Sequence, residues 1–314
     1  MAEVRTLADG FEFPEGPVVL PDGSVAVCEL KGKRITHVDG DGKRETIAEP
    51  GGGPNGAQLG PDGKLYVCNN GGAFDFVDMG GLTITHQPPS APHEGGRIER
   101  IDLDSGEVEV LYDEASGRPL IAPNDLVFDG HGGFWFTDYG IEYERHSDRT
   151  FICYAKADGS ECREVMGPVD FPNGIGLSPD GTKVYVAETL TAALWSWNVA
   201  GPGEIGETMP LLPHGGTPVA RISGFAACDS LAIDGEGNIN VGTLLKGGIT
   251  VVKPGDEPGT GEEIDFVPAG DLWPTNIAFG GDSLRTAYIT GSTSGKLLVV
   301  DNWPRPGLKL AHQA

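Results

Sequence analysis

The sequence predicts an all-β chain wound as a six-bladed β-propeller, and three observations predict it. A hairpin signature recurs six times, further strand-like runs follow the copies, and helix-forming runs are nearly absent. The clearest copy, FPNGIGLSPDGTKVYVA from Phe171, sets a polar residue (Asn173) before a short apolar run. A Pro179-Asp180-Gly181 turn and a second alternating run follow, the chemistry of a β-hairpin. The other copies are PEGPVVLPDGSVAVCE from Pro14, PNGAQLGPDGKLYVCNN from Pro54, PNDLVFDGHGGFWFTD from Pro123, CDSLAIDGEGNINVGT from Cys228 and PTNIAFGGDSLRTAYIT from Pro274. They lie roughly 40 to 70 residues apart, a spacing at which propeller blades repeat.

Taken in order, Val4 to Leu7 reads as a strand that completes the last blade, because the sixth copy is followed by only one clear strand, Gly295 to Asp301. Blade one continues with Arg34 to Val38 and Arg44 to Ala48. Blade two is interrupted by an insertion from Gly71 to Gly95 before Arg97 to Ile101 and Val108 to Tyr112. Long loops in compact domains are commonly functional, and Phe74, Phe76, His86 and His93 make this one read as a lid. The two histidines fit no standard metal-ligand spacing. Blade three carries Thr150 to Ala155 and Glu161 to Met166, blade four Ala193 to Val199 with a polar connection after it, and blade five Gly248 to Lys253. The chain is thus expected to be one domain over residues 1–314, with a lid-like insertion at about 71–96.

Composition narrows the function. Net charge is −24 over 314 residues, with acids spread through turns, which argues against nucleic acid. No apolar run approaches a membrane span, and the first residues show neither a basic patch nor an apolar core of a secretory signal. Five cysteines without a C-x-x-C pair read as reduced structural thiols in a cytoplasmic protein. The Gly51-Gly52-Gly53 run has no lysine or helix after it, so it is no phosphate loop, and no G-x-S-x-G elbow is present.

In a propeller the first strand of every blade faces the axis, so the residues opening those strands converge at one end of the channel. Set in register they are Glu15, Asn55, Asn124, Asn173, Asp229 and Thr275. Singly, Asn or Asp here is a turn former. As a ring, five of them supply carboxylate and amide oxygens suited to one divalent cation, Ca²⁺ first, with Mg²⁺, Mn²⁺ or Zn²⁺ as alternatives. Thr275 breaks the pattern and is expected not to ligate.

The motifs FPEGPVVLPDG, APNDLVFDGHGGFWFTDYG, FPNGIGLSPDG, CDSLAIDGEGN and PTNIAFGG together resemble the family of regucalcin (senescence marker protein 30), gluconolactonase and related lactonases, over nearly the whole chain. Diisopropyl fluorophosphatase is a more distant relative. The resemblance implies a six-bladed propeller with one catalytic divalent cation at the channel mouth, held by Glu15, Asn173 and Asp229. It leaves Asn124 as a fourth ligand or a substrate contact. One departure stands out. The sugar-lactone members nearest regucalcin carry an arginine two residues before Asn124, and this chain has Ala122, which permits a less polar lactone.

The expected reaction is metal-dependent hydrolysis of a small-molecule lactone. Asp229 acts as general base and Asn124 polarises the substrate, while Asn55, Asn124, Phe74, His86 and Tyr139 line the substrate site. Glu29, Asn70, Asp138, Glu188 and Thr243, ending the second strands, are expected to orient the ligands. The alternatives are phosphotriesterase, lyase or isomerase chemistry on the same metal platform, or a calcium-binding propeller without catalysis. The sequence does not speak to oligomeric state.

Overall fold

The computed structural model describes residues 3–210 and 212–313. Among the described residues, six antiparallel sheets of four or five strands form the blades, each running outward from its inner strand, and two two-stranded sheets stand beside them. Blade one is Pro14–Val19, Val25–Glu29, Arg34–Val38 and Arg44–Ala48. Blade two is Pro54–Leu59, Leu65–Asn69, Arg97–Ile101 and Val108–Tyr112. Blade three is Pro123–Phe128, Gly133–Asp138, Thr150–Lys156 and Cys162–Val169. Blades four and five open with Pro172–Leu177 and Ala227–Ile233. In blade six, Pro274–Gly280, Thr286–Gly291 and Lys296–Val300 are joined by Val4–Asp9, which pairs antiparallel with Lys296–Val300. The ring therefore closes as the sequence predicts. The six inner strands pack one against the next, with Pro274–Gly280 returning to Pro14–Val19.

The core lies between blades. Residues alternating along the inner and second strands, such as Leu126, Phe128, Phe134 and Phe136, pack against Tyr66, Cys68 and Ile98 of the preceding sheet. Equivalent clusters fill the other gaps, for example Val241, Leu231 and Ile233 against Tyr185 and Leu194. All five cysteines are free, and Cys28 and Cys68 are buried at matching places in neighbouring blades. Burial pushes both thiols well above their ordinary range, so they stay protonated and unreactive.

Several elements go beyond the sequence reading, among them the fourth strand of blade five, Glu262–Pro268, and the short pair Glu114–Ala115 with Arg118–Pro119. The fourth strand of blade four is Thr217–Arg221, which pairs with Ala193–Gly201 across a connection holding the short pair partner Glu204–Ile205. Pro218 and the glycines before it give this stretch the composition of a loop. The insertion of blade two contains a hairpin, Asp75–Asp78 with Thr83–His86.

At the end of the channel away from the slot residues, a cavity of about 340 Å³ is lined by the continuing inner strands and by residues near the C-terminus. That last segment is fastened across several blades. The Leu308 amide donates to Ile233 O at 2.9 Å, Gln58 Nε2 to Ala311 O at 3.3 Å, and Gln313 Nε2 to Phe279 O at 2.7 Å.

Candidate functional site

Each inner strand carries a register irregularity at its slot residue: Glu15/Val18, Pro54/Ala57, Pro123/Leu126, Pro172/Ile175, Cys228/Leu231 and Pro274/Asn276. A bulge re-aims a side chain and ends regular pairing locally, so here it sets six residues at one end of the channel. Glu15, Asn55, Asn124, Asn173 and Asp229 line a single cavity of about 280 Å³, and each is less than a tenth exposed. Thr275 is not among its lining residues. Its hydroxyl is engaged with Thr290 Oγ1 at 2.9 Å and Ser292 Oγ at 2.5 Å.

The polar groups of this ring are only partly satisfied by the protein. Glu15 Oε2 accepts from the Gly16 amide at 3.1 Å and from Asn276 Nδ2 at 3.4 Å. Asp229 Oδ1 accepts from the Ser230 amide at 3.1 Å. Asn173 is held at both ends of its amide, with Nδ2 donating to Thr189 Oγ1 at 3.2 Å and Oδ1 accepting from Ser230 Oγ at 3.3 Å. Asn55 Oδ1 and Asn124 Oδ1 are buried with no hydrogen-bond donor. Orphaned buried acceptors cost about 1–3 kcal/mol each, so two of them beside two carboxylates form a donor set that a cation would fit.

The electrostatics agree. Burial raises Glu15 from 4.5 to about 7, against the opposing pull of the Gly16 amide. Asp229 is held well above the usual carboxylate range, first by burial and then by the charge of Glu15. A bound divalent cation inverts this logic, because it becomes the largest local charge and favours both carboxylates ionised. Among the described residues no group of three or more His, Cys, Asp or Glu is placed to hold a metal. Any cation here would take two carboxylates and neutral amide oxygens, a hard-oxygen set that fits Ca²⁺.

The inserted hairpin roofs the cavity. Phe74, Thr85, His86 and Gln87 line it together with Tyr139, Leu30 and Phe13. Phe76 packs on Phe13 at 5.5 Å and Phe74 on Tyr139 at 5.8 Å between ring centroids. The Thr83 amide donates to Thr293 O at 2.9 Å, and Gln87 Nε2 reaches Gly140 O at 3.3 Å. His86 is exposed at the rim, whereas His93 Nε2 bonds Asn70 O at 2.8 Å and anchors the base of the insertion. Ala122 is fully buried in an apolar group with Ala73, Tyr139, Ile141 and Phe171.

The SMP-30/Gluconolactonase/LRE-like region matches residues 13–293. The chain belongs to that family. It is 27% identical over 239 residues to a lactonase drp35 of Staphylococcus haemolyticus, covering 76% of this chain and 65% of that protein, just under two thirds of its length. To a gluconolactonase of Zymomonas mobilis it is 24% identical, with 92% of this chain and 79% of the relative covered. The structure of a calcium-binding regucalcin from Agrobacterium tumefaciens superposes with a TM-score of 0.70 at 17% identity, covering 98% of each chain.

Within this member of the SMP-30/gluconolactonase family, the expected orienting residues play other parts. Glu29 accepts from Arg34 and Thr36, Asp138 from the Ile121 and Ala122 amides, and Glu188 from Trp195 Nε1. Asn70 accepts from the Gly72 and Ala73 amides, and Thr243 donates to Thr250 Oγ1. These residues brace the loops that carry the site instead of touching the ring. The residues that do touch it are Ser230, Asn276 and Thr189. Ser230 and Asn276 follow the slot residue directly, in a column that reads Gly16, Gly56, Asp125, Gly174, Ser230, Asn276. That column runs through the repeats one step from the slot residues.

Proposed function

We propose that this protein hydrolyses a lactone with a divalent cation, Ca²⁺ foremost, held by Glu15, Asn173 and Asp229 with Asn124 beside them. The observation that carries the reading is the pairing of two buried carboxylates with the donorless oxygens of Asn55 and Asn124 in one cavity. Names of relatives add support, since lactonase and gluconolactonase are what similar chains are called.

When bound, the cation polarises the lactone carbonyl and lowers the pKa of a water molecule. The chain's own residues do the rest. Asp229, its Oδ1 fixed by the Ser230 amide, takes a proton from the attacking water through its other oxygen. Water oxygen bonds to the carbonyl carbon, the ring C–O bond breaks, and the proton passes from Asp229 to the departing ring oxygen. The product is the open hydroxy acid. Asn124 donates its amide N–H to the substrate oxygen, and Thr189 keeps Asn173 in one orientation. The hairpin roof limits bulk water in the cavity.

Chelator-treated, dialysed protein should lose hydrolysis across a lactone panel followed by pH indicator, and regain it with Ca²⁺, Mn²⁺ or Zn²⁺. Turnover indifferent to chelation discards the metal-dependent reading.

A further inference from the structure

The cavity walls carry more information about the substrate than the ring does. No lysine or arginine lines the cavity among the described residues, while Glu15, Asp229 and Glu142 do. Apart from the proposed cation, whose charge the two ring carboxylates balance, an anionic substrate would meet only like charge there. Beyond the polar ring the walls include Phe13, Leu30, Phe74, Leu190, Leu244 and Trp273, with Thr85, His86 and Gln87 on the side of the inserted hairpin.

The mouth is also asymmetric. The roof's hydrogen bonds and ring contacts run to blade one (Phe13), blade three (Gly140) and blade six (Thr293). The rim from blade four to the start of blade six carries exposed apolar side chains: Leu190 at 57%, Phe225 at 87%, Leu245 at 42% and Leu272 at 40%. All four sit where second strands end or inner strands begin, the end of the channel that holds the ring. The Leu245 amide donates to Leu272 O at 3.0 Å, joining the rims of blades five and six. Leu245 also holds φ at 69°, a left-handed conformation in which glycine or asparagine costs less. A strained, exposed leucine at a cavity mouth has no packing reason to be apolar.

We infer that the substrate is an uncharged lactone bearing an apolar chain, with the ring over the slot residues and the chain leaving across Leu190 and Leu245. This deepens the lactonase reading and rests on it. Burial of alkyl groups along that rim should raise kcat/KM with chain length, by about two- to fourfold per methylene.

The test compares δ-valerolactone, δ-octalactone and δ-decalactone in the wild-type holoenzyme and in a Leu190→Gln/Leu245→Asn double variant. Asparagine suits the left-handed position, so the variant is expected to fold as well as the parent. Binding of the matching inert alkyl δ-lactams is followed in parallel by tryptophan fluorescence. The expected result is a rising chain-length dependence in the wild type and a decalactone-to-valerolactone ratio at least tenfold lower in the variant. Hydrolysis without chain-length dependence, or an unchanged ratio in the variant, overturns the inference and leaves the lactonase reading standing. Length-dependent lactam binding without turnover of any lactone keeps the apolar sector and discards the reaction. Neither binding nor turnover discards both.

Discussion

In the proposed reaction Asp229 both holds a cation and moves a proton, and one substitution separates the two tasks. Asp229→Asn keeps the volume and one oxygen donor but removes the base. The expected outcome is kcat lower by about 10²–10⁴-fold, with the fold retained by circular dichroism and cation binding still measurable by calorimetry. Activity near that of the parent would show that the proton goes elsewhere. The slot residues were legible because the repeat stacks them in one column. Asp125, Ser230 and Asn276 were not, because regular strand alternation sends adjacent residues to opposite faces, so a reader takes one column and dismisses the next. The bulges break that rule. Glu15 and Asn124 line the upper cavity, and Gly16, Asp125 and Asn276 line the lower one.

Among the elements, the bulged inner strands approach one another too closely for ordinary side chains. A Cβ on Gly174 would lie 2.5 Å from the Leu231 amide nitrogen and 2.6 Å from Ser230 Cα, both backbone. One on Gly56 would lie 2.5 Å from Asp125 Oδ1. Glycine in one blade thus makes room for the polar residue of the next. Gly174→Ala should lower stability by about 1–3 kcal/mol, as overpacking does, and weaken cation binding because Asn173 is displaced. Chemical denaturation and titration calorimetry read the two effects, and an unchanged denaturation midpoint would contradict the close approach. The hairpins themselves were plain in the sequence, since Pro-Asp-Gly turns between alternating runs are local chemistry. Thr217–Arg221 was hidden because its strand character comes from pairing with Ala193–Gly201, a tertiary contact that overrides its composition.

For the whole molecule, the net charge was legible and its consequence for stability was not, because burial decides it. Burial lifts Glu15 and Asp125 to about 7 and Asp138 to about 6, and holds Asp229 higher than usual. The folded chain therefore binds these protons more tightly than the unfolded chain, whose carboxyls titrate near 4. Between those values unfolding releases protons, so stability falls as pH rises. Turn aspartates such as Asp180, lowered to about 2 by Ser178 and Thr182, act in the opposite sense but only at acid pH. Chelated protein should accordingly melt at a higher temperature at pH 5 than at pH 7.5 by scanning calorimetry, and saturating cation should narrow the gap by the share that Glu15 and Asp229 contribute. A melting temperature that climbs with pH in chelator would contradict the buried carboxylates' shift. Blade six has a further meaning for the whole ring. Among the described residues it is the one blade that joins an N-terminal strand to the last strands, and its inner strand abuts Glu15 through Asn276 while Thr275 and Ser292 grip Pro14 O. That sheet is a clasp, and it sits directly against Glu15. If the proposed cation binds there, springing the clasp would displace one of its carboxylates and filling the site would tighten the clasp, so circular integrity and chemical competence would be a single property of this chain.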